Sequence, residues 1–379
     1  MTPKLRVALV FGGSSVEHEV SLTSARSILA AIDRGRYEVV PVAVTKEGRW
    51  LTGPQTLALL QGGGQARAEG SPCALLADPG VRGLVALGAD GATGGTGRTP
   101  VDVVFPIIHG RHGEDGALQG LLEMSGLPYV GCGVLASALG MDKEASKRML
   151  RDAGLRVVEY VCLRDRRWRR DWETAERMVA EGPGIPCFVK PSNGGSSVGI
   201  VKVKTAEQLR AALEEAGRYD HKVLVERALE AREIEVSVLG NEDPQASVPG
   251  EIEPVNEFYD YQAKYLDDRS RLLIPASLTE GQVREARRMA VHAFRALGCE
   301  GMARVDFLLD RQSGVLYVSE VNTVPGFTPL SMYPTRGEAG GVPYARLIDR
   351  LIELALERHR RNSRLETSYG TGSGRASAP

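Results

Sequence analysis

The sequence lacks the features that mark membrane, secreted and nucleic-acid-binding proteins. Its five cysteines are scattered and form no CxxC pair, so a disulfide framework is not indicated. No apolar run approaches the ~20 residues of a membrane span, and the run at 7–11 is too short for a secretion signal. The formal net charge of -1 gives no reason to expect nucleic acid or an acidic membrane as a partner. We therefore expect a cytoplasmic protein whose thiols are reduced and mostly buried.

The length and composition are those of a globular protein with more than one domain. Of the 379 residues, 42% are hydrophobic and 25% are charged, and the length exceeds that of one ordinary core. The chain opens with a buried strand at 5–11, a helix at 21–32 and a second strand at 37–44. This βαβ order indicates a parallel sheet with a right-handed crossover. We predict the α/β class with an N-terminal Rossmann-like parallel sheet.

Two segments differ in composition from the rest of the chain. Residues 61–99 are rich in Gly, Ala and Thr, and we expect them to form a flexible surface excursion. The segment after Arg361 is rich in Ser and Gly and is predicted to be disordered. Neither segment is expected to supply site residues.

A predicted hairpin near the C-terminus gathers four polar side chains. A turn centred near Ser313 places Asp306 opposite Glu320 and Arg304 opposite Asn322, and period-two alternation puts all four on one face. Two carboxylates directly across a ladder repel each other. Their oxygens suit Mg²⁺, which binds through one or two carboxylates together with substrate phosphates. The other interpretation is a solvated face on which Arg304 neutralises Asp306.

A lysine precedes a glycine-rich loop in the middle of the chain. Lys190 ends a predicted strand, and the following segment 192–199 contains three glycines and two adjacent serines. Free backbone N–H groups in such a loop can bind phosphate oxygens. The lysine precedes the glycines, so this is not a Walker A loop. Lys143, at the start of a predicted helix, is a second candidate cation for phosphate, although either feature alone is more often structural.

Acidic side chains follow the first strand. Glu17 and Glu19 lie near the start of the first helix, and the carboxyl end of a parallel strand faces a cleft. A carboxylate there can hold a substrate ammonium, or it can simply stabilise the N-terminus of the helix.

Two further polar segments lie after strands. His109 and His112 lack a third metal ligand at a fitting spacing, so we predict that His109 makes hydrogen bonds at the cleft. The aromatic segment 258–265 does not suit a core strand and is predicted to be an active-site loop or lid.

Seven motifs, in their order along the chain, together resemble those of one family. They are VEHEVSL, HGRHGEDGALQG, MDKEASK, VKPSNGGSSVGI, YDYQAKY, ARVDF and EVNTVPGFTPLSMYP. The chain resembles the D-alanine–D-alanine ligases of the ATP-grasp superfamily from about residue 4 to about residue 357. The resemblance implies ATP bound between the second and third of three α/β domains, two Mg²⁺ ions with Mn²⁺ left open, and a homodimer.

The resemblance divides the chain into four parts. They are an N-terminal Rossmann-like substrate-binding domain (1–125), a central ATP-grasp subdomain with the glycine loop (126–221), a C-terminal subdomain with the metal site and lid (222–360), and a disordered tail (361–379).

The resemblance also assigns the nucleotide and metal residues. By resemblance, the ATP phosphates are contacted by Lys143 and Lys190 and covered by a loop that contains Gly195, Ser196 and Ser197. Adenine lies against a hinge formed by Glu226, Ala228 and Leu229, and the ribose is bound by Glu233. The Mg²⁺ ligands are Asp306, Glu320 and Asn322. Ala228 is smaller than the residue expected against adenine.

The substrate residues follow in the same way. By resemblance, Glu17 binds the ammonium of the first D-alanine, and Ser196 and Tyr265 are hydrogen-bonded with Glu17. His109 matches a residue near the substrates, and Lys264 and Ser331 match contacts to the carboxylate of the second substrate. The oxyanion site is formed by Arg304 and the Gly326 amide. The implied reaction makes a D-alanyl phosphate, which a second D-alanine attacks to give D-alanyl-D-alanine, ADP and phosphate for peptidoglycan precursors. The Lys264-Tyr265 pair favours an amine over D-lactate as the second substrate.

Parts of the sequence are also compatible with three other functions. A ligase of the same superfamily with a different acid and amine is opposed by VEHEVSL and YDYQAKY. A regulatory nucleotide-binding protein without catalysis would tolerate loss of Asp306 or Glu320, and both are present. A dinucleotide-dependent oxidoreductase is opposed by GGSSVE, which lacks the GxGxxG spacing.

Overall fold

Three β-sheets with packed helices make up the described part of the chain. The computed structural model describes residues 3–61, 69–88, 97–164, 167–253, 271–327, 333 and 343–366. The predicted α/β class is confirmed. No helix within these ranges is long and apolar enough to cross a membrane. All five cysteines are free and four are buried, as predicted.

The first sheet contains the predicted parallel unit. Its strands are β1 (Leu5–Gly12), β2 (Tyr37–Val44), β3 (Trp50–Thr52), β4 (Ser71–Leu75), β5 (Gly83–Ala86), β6 (Arg98–Pro100) and β7 (Val103–Pro106). Their order across the sheet is β6-β5-β4-β3-β2-β1-β7. β1 pairs in parallel with both β2 and β7. Helix α1 (His18–Ala31) forms the crossover between β1 and β2, which confirms the predicted βαβ unit.

Residues 61–99 depart from the prediction. After a 3₁₀ turn (Pro54–Leu57) and the short helix α2 (Ala58–Gln61), strands β4 and β5 together with β6 extend the first sheet in antiparallel register. The prediction of a flexible excursion was wrong for these strands. Cys73, Leu75 and Leu84 are buried in the core beneath them, and strands this short need few apolar residues to pack.

Three helices lead from the first sheet to the second. They are α3 (Ala117–Met124), α4 (Val134–Met141) and α5 (Lys143–Asp152). Helix α5 begins where the Asp142 side chain accepts a hydrogen bond from the Ala145 amide, an N-cap that fixes its first turn. This cap places Lys143 at the first helical position, in agreement with the predicted helix start.

The second sheet is antiparallel and has its own core. Its strands are β8 (Tyr160–Arg164), β9 (Cys187–Pro191), β10 (Val201–Val203) and β11 (Lys222–Arg227), in the order β10-β9-β11-β8. Helices α6 (Trp172–Glu181) and α7 (Leu209–Ala216) supply the rest of that core. Because β11 pairs with β8 and β9, this sheet extends to Arg227, past the division placed at residue 222. The division into domains otherwise stays a prediction.

The third sheet holds the predicted hairpin. Its strands are β12 (Ala231–Gly240), β13 (Gln245–Ala246), β14 (Gly250–Glu253), β15 (Arg271–Leu273), β16 (Gly301–Asp310) and β17 (Leu316–Asn322). The main order is β15-β14-β12-β16-β17, with β13 paired to β12. Helix α8 (Glu280–Ala296) buries its apolar face against β12, β16 and β17. The predicted register is confirmed, since Asp306 pairs with Glu320 and Arg304 with Asn322.

The last helix joins the first sheet to the third. Helix α9 (Tyr344–Asn362) packs Leu347 and Leu351 into the core that contains Leu9 and Phe105 of the first sheet. Phe327, in the segment after β17, lies in the same core. Apolar contacts therefore fix the hairpin relative to the end of β1.

Candidate active site

A cavity of about 460 Å³ lies where three loops meet. The loops follow β1, β7 and β9, and they contribute Glu17, Gly110 and Gly195 to its lining. In open α/β sheets ligands bind at the carboxyl ends of the strands, and the loops after β1 and β7 lie at that end of the first sheet. A second cavity, of about 820 Å³, lies beside α1 and β3 and is lined by none of the predicted site residues.

Glu17 is held at the centre of this meeting point. The Ser196 hydroxyl of the glycine loop donates a hydrogen bond to Glu17 Oε1 at 2.5 Å, across 179 residues of sequence. Ser196 and Ser197 both have left-handed backbone conformations, with φ of 50° and 60°, which are costly for serine. Glu17 is 7% exposed, and its Oε2 has no hydrogen-bond partner within the described ranges. One oxygen of this buried carboxylate is therefore unsatisfied within the described ranges.

Glu17 and Glu19 have different surroundings. Glu17 is the N-cap residue of α1, yet its side chain makes no capping hydrogen bond. Glu19 lies in the first turn and forms an ion pair with Lys46 at 2.9 Å. Helix stabilisation therefore accounts for Glu19 but not for the buried carboxylate of Glu17.

The two predicted phosphate lysines lie beside the glycine loop. Lys143 Nζ donates to the Gly194 carbonyl at 2.7 Å and lies 3.3 Å from Glu320 Oε2. Lys190 Nζ donates to Glu226 Oε1 at 3.0 Å. Lys143 therefore links the glycine loop to the hairpin, whereas Lys190 pairs with a carboxylate of its own sheet.

The hairpin concentrates carboxylates around Asp306. Arg304 forms two hydrogen bonds to Asp306, from Nε at 2.7 Å and from Nη2 at 2.6 Å, and Asn322 Nδ2 donates to Asp306 Oδ2 at 2.9 Å. Burial raises the pKa of Asp306 to about 7, and the charges of Glu235 and Glu320 add to this against the opposing effect of Arg304. Arg304 and Lys143 offset part of the charge of these three neighbouring carboxylates, and a bound cation would offset more of it.

The donor set fits magnesium rather than a transition metal. Asp306, Glu320 and Asn322 offer two carboxylates and an amide, oxygen donors of the type that Mg²⁺ uses together with substrate phosphates. Across the described ranges no group of three His, Cys, Asp or Glu side chains could hold a metal by itself. The other interpretation of the hairpin also has support, because Arg304 pairs with Asp306 and neutralises its charge.

His109 connects α1 to the segment after β17. Its Nδ1 donates to the Val324 carbonyl at 2.9 Å, and the Ser24 hydroxyl donates to Nε2 at 3.0 Å. Burial lowers the pKa of His109, which favours the neutral ring. Ser24 also accepts from the Phe327 amide at 3.2 Å, next to Gly326. The hydrogen bonds predicted for His109 exist, while its contact with a substrate stays a prediction.

The predicted adenine segment joins the second and third sheets. The Ala228 amide donates to the Pro186 carbonyl at 3.0 Å, and Leu229 follows it, half-buried. Glu226, the residue before the end of β11, has a buried carboxylate, and Glu233 lies half-buried on β12. Their contacts with nucleotide stay predictions. Three predicted residues lie outside the described ranges: Lys264, Tyr265 and Ser331.

Three charged residues of the site were missed from the sequence. Glu235 lies opposite Asp306 on β12, and alternation along the strand could have placed it there. Glu114 accepts a hydrogen bond from the Gly110 amide at 3.0 Å, and burial raises its pKa to about 8, with Glu17 adding to the effect. Lys147 is buried against Glu226, and only its i,i+4 spacing from Lys143 hints at a shared face.

Comparison with known proteins agrees with this geometry. The family model described as "D-ala D-ala ligase N-terminus" matches residues 6–132, and that described as "D-ala D-ala ligase C-terminus" matches residues 149–353. A D-alanine–D-alanine ligase from Thermoanaerobacter sp. (strain X514) is 49% identical over 362 residues, which are 95% of this chain and 99% of the relative. One from Geobacillus thermodenitrificans is 45% identical, over 97% of this chain and 99% of the relative.

Solved structures match over most of the chain as well. The VanG D-Ala:D-Ser ligase from Enterococcus faecalis has a TM-score of 0.82 at 33% identity, and covers 93% of this chain and 100% of its own. The D-alanine–D-alanine ligase from Coxiella burnetii has a TM-score of 0.77 at 35% identity, over 95% and 96% of the two chains. The site, the sheets and the sequence comparisons agree, and the chain belongs to the D-alanine–D-alanine ligase family, as an ATP-binding ligase of the ATP-grasp fold.

Proposed function

We propose that this enzyme joins two D-alanine molecules through a D-alanyl phosphate, using ATP and releasing ADP and phosphate. The observation that carries the proposal is the buried Glu17 carboxylate, which Ser196 fixes through one oxygen while the other lacks a partner within the described ranges. A buried, half-satisfied carboxylate favours a ligand ammonium, because an unpaired charge in a dry site is costly. Glu17 would thereby place the carboxylate of the first D-alanine towards the phosphate-binding lysines.

In the first step the D-alanine carboxylate attacks the γ-phosphate of ATP. Phosphoryl transfer depends on positioning and charge neutralisation more than on covalent help. Lys143 and Lys190 lie beside the glycine loop to supply positive charge. Asp306, Glu320 and Asn322 would hold Mg²⁺, which neutralises phosphate charge when bound. Mn²⁺ is a second candidate for the same oxygen ligands.

In the second step the free amine of the second D-alanine attacks the acyl carbon, and phosphate leaves. Arg304 uses Nε and Nη2 to bind Asp306, which leaves Nη1 to donate to the oxyanion together with the Gly326 amide. The acyl phosphate would hydrolyse in water, so closure of the glycine loop onto Glu17 protects it. We propose that Lys264, Tyr265 and Ser331 complete the site around the second substrate.

The identity of the second substrate is the finer question. One solved relative is a D-Ala:D-Ser ligase, so D-serine is a competing amine. The Lys264-Tyr265 pair in the sequence favours an amine over the hydroxyl of D-lactate. We further propose that the enzyme works as a cytoplasmic homodimer and that its product enters peptidoglycan precursors.

Phosphate release from ATP tests the proposal. The wild-type protein with Mg²⁺ is offered D-alanine, L-alanine, D-serine and D-lactate, and the products are identified by mass. We expect release that depends on D-alanine and yields D-alanyl-D-alanine. Glu17→Gln should abolish it, whereas Glu19→Gln, which changes the neighbouring helix acid, should leave it within about threefold. Release without D-alanine dependence, or equal loss in both variants, would overturn the proposal.

A further inference from the structure

Lys147 is a buried cation without a role in the mechanism above. It lies on α5 and is 1% exposed. Its Nζ lies 2.7 Å from Glu226 Oε2, while the other oxygen of the same carboxylate accepts from Lys190 at 3.0 Å. Glu226 itself is 2% exposed. One buried carboxylate therefore lies between two lysines, of which only Lys190 was assigned to phosphate.

We propose that Lys147 is a positioning residue for the ATP phosphates. It forms an ion pair with the Glu226 carboxylate, so that the positive charge of Lys190 remains available to phosphate oxygens. The proposal deepens the proposed function, because it rests on the assignment of Lys190 to the phosphates.

The charge balance supports this role. Glu226 and Lys190 alone would form a neutral pair, and at low dielectric the carboxylate would hold the ammonium against itself. With Lys147 charged, the three groups carry one net positive charge; burial lowers the pKa of Lys147, and the Glu226 carboxylate opposes that shift. Although burial acts to raise the pKa of Glu226, Lys147 and Lys190 hold that pKa below its ordinary value, so the carboxylate remains charged.

Lys147 cannot contact phosphate directly in this arrangement. It is almost wholly enclosed, and its Nζ lies 5.9 Å from the centre of the Tyr160 ring. Arg151, one turn further along α5, lies over the same ring at 5.0 Å but is exposed and has no ion pair with Glu226. The chain thus offers a matched control on the same helix and the same ring.

A comparison of ATP binding with adenosine binding separates an effect on the phosphates from an effect on the fold of the site. Both affinities are measured by calorimetry with Mg²⁺ and without D-alanine, and the readout is the ratio of ATP to adenosine affinity. Lys147→Met should lower this ratio at least tenfold, about 1.4 kcal/mol, while adenosine affinity stays within twofold. Arg151→Met should leave the ratio unchanged. Lys147→Met with Glu226→Gln restores one net positive charge on Lys190 and should return the ratio to within threefold of wild type.

Each outcome decides the proposal. A ratio unchanged in Lys147→Met, or equal weakening of ATP and adenosine, overturns it and leaves Lys147 a structural residue. A double variant that fails to restore the ratio also overturns it. If thermal unfolding shows that the single variant does not fold, Lys147 is a structural residue and the proposal is overturned. Since no D-alanine is present, these results are independent of whether the proposed ligation occurs.

Discussion

Replacing Gly195 by alanine tests whether the glycine loop and Glu17 form one unit. A Cβ added at Gly195 would lie 2.4 Å from Glu17 Oε2, closer than packed atoms approach each other, and 3.0 Å from Glu17 Cδ, which is a tight contact. Either the loop or the carboxylate must move by about 1 Å, and a displacement of that size at a reacting centre costs about 100-fold in rate. We expect kcat/KM for D-alanine to fall by about that factor.

Gly194→Ala is the control for this change. Its added Cβ would lie 3.3 Å from the Pro191 ring, a close contact that a small shift relieves. Steady-state phosphate release at varied D-alanine should show a loss of less than about fivefold for this variant, with thermal unfolding confirming that both proteins are folded. If the two alanine variants lose activity equally, the Glu17 contact is not what makes glycine necessary at position 195.

Three further predictions test other parts of the site. Glu320→Ala should reduce ATP turnover about a thousandfold without unfolding the protein, so activity retained in Mg²⁺ contradicts the metal assignment. Because the pKa of Glu114 is raised from 4.5 to about 8, its contribution to stability declines as the pH rises between those values. Glu114→Gln should therefore raise the melting temperature more at pH 8 than at pH 5, and the opposite order contradicts the assignment. Phe327→Ala empties a fully buried position and should lower the free energy of unfolding by about 3–5 kcal/mol in chemical denaturation, and a loss below about 1 kcal/mol contradicts the packing.

Local patterns in the sequence predict the hairpin well, and distant contacts poorly. Alternation along two adjacent strands places Asp306 opposite Glu320, and the structure has that register. The bond between Ser196 and Glu17 joins separate sheets, so no local pattern could give it, and only the family resemblance named the pair. The burial of Lys147 also depends on a distant contact. The pattern of an amphipathic helix does not predict which of its lysines pairs with a buried carboxylate.

The contacts that join the first sheet to the third differ in kind from those that join the second sheet to the others. Helix α9 and Phe327 join the first and third sheets through a shared apolar core, which fixes Glu17 and the hairpin relative to each other. The second sheet has a core of its own, and its glycine loop reaches the other two through polar bonds from Ser196 and from Lys143. Polar bonds exchange readily with water, whereas a buried apolar interface does not separate without a large free-energy cost. The glycine loop is therefore the part best able to move, whereas Glu17 and the hairpin carboxylates, which we propose bind substrate and metal, keep their geometry.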